Sequence, residues 1–406
     1  MSGSAIRSSR RPAQSRTPGP LACVLGSMDL VRPLGLAGIP CAVVAPERTP
    51  PRYSRFARAT VEWVDPWTSA DELVERLVGF ARARPEPPVL FYEEDRDLLL
   101  VSRHRDRLAA AFRFVVAEST LVEDLADKAR FQALAEALRL PVPPSRRLAA
   151  MNGAPGTLDL RFPVILKPLT RRGFERWKVV AGSEAKGLLV ESPRALAALW
   201  RSLRDAELEV LAQEAIPGPE TAIESYHVYV DAGGAVVAEF TGKKIRTRPS
   251  AYGFSTALVT TDSADVAELG RELTLRLRLR GVGKLDFKRD SDGTLYLLEV
   301  NPRFNLWHHL GARAGVNLPA LVYADLTGRE RPPVGRARAG TRWCDPVADA
   351  FAAREARLPL VRWVPWMLGC EAKSTLALDD PMPFVGGIVW RHVRRRLAGA
   401  NGRGGA

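Results

Sequence analysis

The chain has 406 residues, of which 46% are hydrophobic and 26% charged, a composition typical of a globular protein with an ample core. No apolar run approaches the roughly 20 residues that cross a bilayer, and the N-terminus lacks the apolar region of a secretory signal, so we expect a cytoplasmic protein without a membrane span. The four cysteines are scattered, and their spacing predicts neither a disulfide framework nor a zinc site.

The net charge of +13 is concentrated at the two ends of the chain. Four arginines lie in residues 1–20 and five in residues 391–406, so the ends carry 4 + 5 = 9 of the 13 charges. Both ends are rich in small and polar residues and are predicted to be disordered basic tails. The remaining body is only mildly basic, which is typical of a protein that binds small anionic ligands and does not favour specific nucleic-acid recognition. Non-specific contact of a tail with RNA or lipid stays open.

The first half of the chain predicts a parallel sheet. Apolar runs at residues 21–25 and 40–45 enclose a helical segment at residues 27–37, which is the pattern of a βαβ unit. Residues 26–29 lack the G-x-G-x-x-G pattern, so no dinucleotide site is assigned to this turn. A further strand at residues 89–92 is followed by three acidic residues, which either face the ligand crevice of an open sheet or belong to a solvated loop.

The middle of the chain shows a helix and a strand that each carry a lysine. Apolar spacing predicts one helix over residues 123–139, followed by an extended, proline-rich exit at residues 140–144. The apolar run at residues 162–166 ends in Lys167, and residues 169–177 are predicted to form an arginine-rich loop. Charge there could replace the backbone amides that bind phosphate in glycine-rich loops.

A hairpin with a polar face is predicted at residues 281–303. Two alternating runs, 284–288 and 294–300, flank an Asp-Ser-Asp-Gly turn. Because side chains alternate along a strand, Asp286, Glu299 and Asn301 can converge as oxygen ligands for Mg²⁺. Lys284 and Arg303 flank them, which suits an anionic ligand such as a nucleoside triphosphate. The alternative is an ordinary solvated hairpin.

Taken in order, these segments resemble the ATP-grasp carboxylate-amine ligases, notably the D-aspartate ligase-like branch. The resemblance rests on an Asp-Lys step at 127–128, a strand-Lys-Pro step at Lys167, a hinge at 210–220, a basic segment at 241–253 and the hairpin. It implies Mg²⁺, with Mn²⁺ as an alternative, at Asp286, Glu299 and Asn301. The other residues whose roles it implies are Lys128, Lys167, Lys243 or Lys244 on phosphate, Gln213, Glu214 and Ile216 around adenine, Glu220 on ribose, Arg246 on a substrate carboxylate, and Lys284 with Arg303 completing the catalytic cradle.

The resemblance also implies an α/β fold, with α+β character in the catalytic half. A Rossmann-like domain at 21–118 would precede an ATP-grasp domain at 119–330, whose subdomains are 119–205 and 206–330, and residues 331–390 would cap it. The implied activity is ATP-dependent joining of a small carboxylate and an amine, such as amino acids, through an acyl phosphate with release of ADP and phosphate. A phosphotransferase, a non-catalytic ATP-binding protein and a basic nucleic-acid protein remain alternatives, and a homodimer is left open.

Overall fold

The computed structural model describes residues 19–149, 151 and 158–390, so most of both basic tails lies outside the described residues. At its start the described chain is anchored, because the hydroxyl of Tyr323 donates a hydrogen bond to the carbonyl of Pro20 over 2.6 Å. Within this part of the chain, every helix is too short or too polar to span a bilayer.

The N-terminal domain is built on a four-stranded parallel sheet in the order β3-β2-β1-β4. The predicted βαβ unit is confirmed. All residues of β1, β2 and β4 are buried, as expected for a parallel sheet covered on both faces. The elements of this domain are β1 (Ala22–Leu25), α1 (Met28–Leu36), β2 (Cys41–Ala45), β3 (Ala57–Glu62), α2 (Ala70–Arg82), β4 (Val89–Tyr92), α3 (Asp95–Arg103) and α4 (Arg105–Ala109).

The single helix predicted over residues 123–139 is wrong. The structure has two helices, α5 (Ser119–Ala126) and α6 (Lys128–Ala137), separated by Asp127. Asp127 adopts an extended conformation, and its carboxylate accepts hydrogen bonds from the backbone amides of Ala129 and Arg130. An N-cap of this kind starts a new helix, so Lys128 becomes the first residue of α6.

A second, antiparallel sheet of four strands has the order β5-β8-β6-β7. Strand β8 of this sheet begins at Glu209, after the subdomain boundary predicted at residue 205, so the sheet extends beyond that boundary. The predicted loop at 169–177 is wrong beyond Gly173, because a helix begins at Phe174 and buries Trp177. The elements are β5 (Ser145–Ala149), β6 (Val164–Pro168), α7 (Phe174–Ala181), β7 (Leu188–Val190), α8 (Pro193–Asp205) and β8 (Glu209–Glu214).

The third sheet has seven strands in the order β13-β12-β9-β10-β11-β14-β15, in which β14 is Arg342–Cys344 and β15 is Ala372–Lys373. Its edge is the predicted hairpin, in which Gly293 takes a φ of +87° that suits glycine at the turn. The strands and their helices are β9 (Ile223–Val230), β10 (Val236–Arg248), β11 (Phe254–Thr261), α9 (Ala264–Arg276), β12 (Gly281–Arg289), β13 (Leu295–Asn301), α10 (Trp307–Ala314) and α11 (Leu318–Thr327).

Residues 331–390 do more than cap the fold, because two of their strands extend the large sheet. β14 pairs with β11, and β15 pairs in parallel with β14. The segment then returns to the N-terminal domain, where Asp380 accepts a hydrogen bond from the Ser54 hydroxyl. Its elements are β14 (Arg342–Cys344), α12 (Pro346–Glu355), α13 (Leu360–Leu368), β15 (Ala372–Lys373), α14 (Met382–Phe384) and a π-helical turn (Val385–Val389).

The apolar cores divide the molecule unequally. Two clusters each combine residues of the N-terminal domain with residues of the large sheet, so these two units share their cores. The sheet of β5 to β8 has a separate core around Trp177 and Trp200. The described chain therefore consists of one large body and a small subdomain at residues 144–214, with a cleft between them.

Candidate functional site

A cavity of about 100 Å³ lies in the cleft between β6 and β8 of the small subdomain and β10, β12 and β13 of the large sheet. The charged residues that line it include six cations and four carboxylates. The carboxylate of Glu214 is already engaged with Arg161, which leaves an excess of positive charge toward the cleft. The charged lining residues are Lys128, Lys167, Arg171, Lys186, Lys244, Lys288, Glu214, Glu220, Asp286 and Glu299.

The cations come largely from the small subdomain and the start of α6. Lys167 follows three buried residues of β6, and its ammonium donates to Gln213 Oε1 over 2.7 Å. Burial lowers the pKa of Lys167 to about 8. Burial, together with Arg171, also lowers the pKa of Lys128, and burial with neighbouring Lys244 holds the pKa of Lys186 well below its usual value. Crowded, desolvated cations of this kind are stabilised by a polyanion.

The carboxylates come from the hairpin on the opposite wall. Asp286 is 4% exposed and lies directly across from Glu299 in the β12–β13 register. Asp286 Oδ1 accepts from Ser225 over 2.5 Å, and Asn301 Nδ2 donates to Glu299 Oε1 over 3.1 Å. Burial opposes the ionisation of Glu299, but nearby lysines, above all Lys284, hold its pKa well below the usual range. The three predicted oxygen donors are therefore brought together, with Glu299 ionised.

Two cations flank these carboxylates, and one of them, Arg303, contacts the N-terminal domain. Lys284 Nζ lies 2.6 Å from Asp286 and 4.0 Å from Glu299. Arg303 donates to Asp95 over 2.5 Å, to the carbonyl of Glu93 over 2.6 Å and to Asn301 over 3.3 Å. The acidic segment after β4 thus faces the crevice, as one of the two readings of the sequence expected. Arg303 links that crevice to the hairpin.

The hinge residues line the cavity, although some of their side chains are occupied. Gln213 bridges Lys167 and Ser145, and Glu214 accepts hydrogen bonds from the backbone and guanidinium of Arg161. Ile216 and Glu220 also line the cavity. Glu220 lies 3.7 Å from Lys244.

The basic segment of β10 is divided between the cleft and other surfaces. Lys244 is 9% exposed and lines the cavity, whereas Lys243 is exposed on the other face of the strand. Arg246 does not line the cavity. The register of β10 against β11 is irregular on both sides of Arg246, which redirects its side chain, and its guanidinium binds Asp349 in a bidentate pair at 2.8 and 2.6 Å. The substrate carboxylate that the resemblance implied as the partner of Arg246 is thus replaced by the carboxylate of Asp349.

The sequence reasoning missed several residues of the cavity, including Lys186, Lys288 and Tyr252. Lys186 is brought to the cleft by its backbone amide, which donates to the carbonyl of Tyr252 over 2.8 Å. The one local signal is the Lys-Gly step before β7. A Cβ on Gly187 would come within 2.9 Å of the Ile165 side chain, so a larger residue just before β7 would force Ile165 to move.

The fold is shared by several enzymes of known structure. One of them is an N5-carboxyaminoimidazole ribonucleotide synthetase in complex with ADP. Its alignment with this protein covers 80% of each chain, with a TM-score of 0.59 and 16% sequence identity. The protein superposes similarly on an L-amino acid ligase from Bacillus licheniformis, with a TM-score of 0.59, 13% identity and coverage of 78% and 76%. Identities this low show the fold alone.

Sequence comparisons confirm the ATP-grasp resemblance. The family described as "ATP-grasp in the biosynthetic pathway with Ter operon" matches residues 207–344. A D-alanine–D-alanine ligase of Pseudomonas entomophila is 26% identical over 219 residues, covering 49% of this chain and 63% of that protein. A ligase of the same name from Halorhodospira halophila is 28% identical over 216 residues, covering 48% and 64%. The match to an ATP-grasp family model therefore holds for residues 207–344, and the chain spans less than two thirds of the length of these curated relatives.

Proposed function

We propose that the protein is an ATP-dependent carboxylate-amine ligase. The observation that carries this proposal is the distribution of charge in the cleft. Desolvated lysines on one wall face the ionised Glu299 and its neighbour Asp286 on the other. This arrangement suits a nucleoside triphosphate with a divalent cation between its phosphates and the carboxylates. The names of the similar proteins, D-alanine–D-alanine ligase and L-amino acid ligase, support small carboxylates and amines as substrates.

In the proposed reaction, a substrate carboxylate oxygen attacks the γ-phosphorus of ATP, and the bond to the β–γ bridging oxygen breaks to release ADP. The amine then attacks the carbonyl carbon of the acyl phosphate, phosphate leaves, and the amine loses a proton. Lys128, Lys167 and Lys186 would hold the phosphates, and Lys244 would add a further cation. Arg303, anchored on Asp95, would border the transferring group. No side chain has to act as a nucleophile.

The residues of the hairpin fit a hard divalent cation. Two carboxylates and an amide oxygen are the donors that Mg²⁺ or Mn²⁺ prefers, and the deprotonated Glu299 is ready to bind one. Lys284 contacts both carboxylates. A bound metal would either displace the Lys284 ammonium from them or share them with it. When bound, the metal would neutralise charge on the transferring phosphoryl group.

The proposal is tested by phosphorus NMR of the protein with ATP and Mg²⁺ against pools of amino acids and small carboxylic acids. We expect ADP and phosphate only when a carboxylate and an amine are both present, and no turnover by Glu299→Ala. Formation of AMP and pyrophosphate would contradict the acyl-phosphate route. A stable phosphorylated product without an amine would indicate a phosphotransferase, and nucleotide binding without turnover in any pool would indicate a binding protein.

Neighbouring lysines of β10 provide a matched pair for the nucleotide site. Lys244→Met removes a cation inside the cleft, and Lys243→Met removes one from the outer face. We expect the first to weaken ATP binding by roughly tenfold and the second to leave it unchanged. Equal effects of the two variants would show that general charge, rather than this cleft, attracts the nucleotide.

A further inference from the structure

The last ten described residues of the C-terminal segment, 381–390, carry no charged side chain. They comprise α14, the π-helical turn Val385–Val389 and Trp390. Both helical elements pack on the N-terminal domain, against the short turn Pro50–Tyr53. None of the ten residues lines the nucleotide cleft, so the proposed ligation gives this segment no role.

The inner side of the segment fits closely against the N-terminal domain. Pro383, Gly386 and Gly387 are buried, and their spacing places them on one side of a helix. A Cβ on Gly386 would come within 2.7 Å of the Tyr53 ring, and a Cβ on Gly387 within 2.6 Å of the Pro50 backbone. The two glycines therefore let the segment lie flat on this turn, which fixes the side that faces outward.

The outer side of the segment is apolar as well. Met382 is 49% exposed, Val385 37% and Val389 42%, and these three residues follow one another at helical spacing. Trp390 is 54% exposed, and Leu378, just before the segment, is 99% exposed. A surface helix usually presents polar side chains to water, so an apolar outer face marks an interaction surface.

The sequence places a cluster of positive charge directly after this face. Trp390 is followed by four arginines within six positions, namely Arg391, Arg394, Arg395 and Arg396. They lie outside the described residues, but the peptide bond alone keeps the first of them within about 4 Å of Trp390, from Cα to Cα. The face therefore combines apolar contact area with a local excess of positive charge.

The two acidic residues that precede the segment do not cancel this charge. Asp379 pairs with Arg55 over 2.9 Å. Asp380 is buried and accepts hydrogen bonds from the Ser54 hydroxyl over 2.7 Å and from the Arg55 amide over 2.9 Å. Both carboxylates are engaged with the N-terminal domain and hold the segment on it.

We propose that the outer face formed by Met382, Val385, Val389 and Trp390 docks the protein on an anionic lipid membrane, together with the arginines that follow it. The apolar side chains would enter the boundary between headgroups and acyl chains, where a tryptophan ring is also favoured. The arginines would pair with anionic headgroups at the same depth. Apolar area or basic charge alone gives weak attachment, and the chain supplies both in one short segment.

Two other occupants match the outer face less completely. A nucleic acid would pair with the arginines but would leave Met382, Val385 and Val389 in water. A second copy docked through the same face would bury these side chains, but it would also bring two arginine clusters together. An anionic bilayer surface is complementary to the apolar side chains and to the charge at once.

The test is flotation of the full chain with vesicles of phosphatidylcholine that contain about 30% phosphatidylglycerol, at about 0.1 M salt. Vesicles of phosphatidylcholine alone are the lipid control. We expect a partition coefficient roughly tenfold or more higher for the anionic vesicles, and a decrease at about 0.5 M salt because salt screens the arginines. Binding of a fluorescent ATP analogue to the same samples monitors the fold and the nucleotide cleft, so failure of this proposal and failure of the proposed function are distinguishable.

A pair of double variants assigns the binding to the outer face. Val385→Gln combined with Val389→Gln removes apolar area at exposed positions, so the fold should tolerate it, and partitioning should weaken roughly tenfold. Leu360→Gln combined with Val361→Gln removes two exposed apolar side chains from α13 instead. This variant is the matched control and should partition as the unmodified protein does.

A triple variant tests the charge. Replacing Arg394, Arg395 and Arg396 by glutamine should weaken partitioning roughly a hundredfold, at about fivefold for each arginine. The remaining affinity should no longer depend on the phosphatidylglycerol content, since the apolar face does not distinguish the two lipids.

Binding of single-stranded RNA and sedimentation velocity distinguish the other occupants. The proposal is overturned if the anionic vesicles are not bound, if the Val385 and Val389 double variant partitions as the unmodified protein does, or if the α13 variant loses as much affinity. RNA binding without vesicle binding would assign the arginines to a nucleic acid. A dimer that the Val385 and Val389 double variant dissociates, again without vesicle binding, would assign the face to a second copy.

Discussion

The two walls of the cleft differ in their charge and in the core that supports them. The wall formed by the small subdomain carries cations, and its apolar core around Trp177 is separate. The wall formed by the large sheet carries Asp286 and Glu299, and its cores are shared with the N-terminal domain. The unit that carries most of the cations is thus attached to a larger body that holds the acidic residues.

The difference shows how the walls depend on one another. Glu299 belongs to the large sheet, yet its low pKa is maintained partly by Lys186 of the small subdomain, in addition to Lys284 and Lys128. Direct connections across the cleft include the Lys128 amide on the carbonyl of Leu169, at 3.1 Å, and the Lys186 amide on Tyr252. The walls have separate cores but a common electrostatic balance.

The largest effects on stability should come from tryptophan substitutions in the cores, one in the separate core of the small subdomain and one in a shared core. Trp177→Ala removes a fully buried ring that donates to the Ala185 carbonyl, at a cost of about 3–5 kcal/mol. Hydrogen exchange followed by mass spectrometry should then show faster exchange in residues 144–214 while the large sheet stays protected. Trp307→Ala, in a shared core, should instead increase exchange in both the large sheet and the N-terminal domain. Uniform loosening by both variants would disprove the division into two units.

A smaller effect is expected from the acidic wall alone. Asp286→Asn keeps the size of the side chain but removes a carboxylate of the proposed metal site, so the rate of ADP release should fall roughly 100- to 1000-fold. Asp292→Asn, in the exposed turn of the same hairpin, is the control and should keep full activity. Steady-state assays of ADP formation measure both variants. A fully active Asp286→Asn would remove this carboxylate from the proposed mechanism.

Features encoded by short local patterns were predictable from the sequence. The alternation of residues 284–288 and 294–300 gave the hairpin, and with it the convergence of Asp286, Glu299 and Asn301. The apolar runs around residues 27–37 gave the parallel βαβ unit. In both cases the period of the side chains and a turn-forming residue are sufficient, because neighbouring segments pair with each other.

Features that depend on distant segments were not predictable in this way. Arg246 is turned away from the cleft by an irregularity in β10 and by Asp349, about a hundred positions later in the chain. Lys186 reaches the cleft through a contact with Tyr252, which lies in the turn between β10 and β11. The break at Asp127 had a local signal, an aspartate able to cap a helix, but the apolar spacing across it favoured a continuous helix.

Removing a single cation from the opposite wall should have a moderate effect. Lys186→Met should weaken ATP binding by roughly tenfold to a hundredfold, because a desolvated charge facing the phosphates is lost. The pKa of Glu299 should also move upward, since Lys186 helps to lower it. Lys178→Met, on the outer side of α7 and paired with Glu175, is the control and should bind normally. Calorimetric titration with ATP measures both, and equal affinities would exclude Lys186 from the site.

The smallest predicted effect is a dependence of ATP affinity on pH above neutrality. Burial lowers the pKa of Lys167 to about 8 in the free protein, so this lysine is charged at pH 7 and loses its proton as the pH rises through 8. Bound phosphates favour the charged form, so above pH 8 binding requires uptake of a proton, and affinity should fall about fivefold between pH 8 and pH 9. Lys167→Met should bind more weakly at every pH and show a shallower slope, the remainder coming from Lys128 and Lys186, whose pKa values are also lowered. An affinity that stays constant or rises over this range would place the phosphates away from Lys167, and the cationic wall would then have to act through its other lysines.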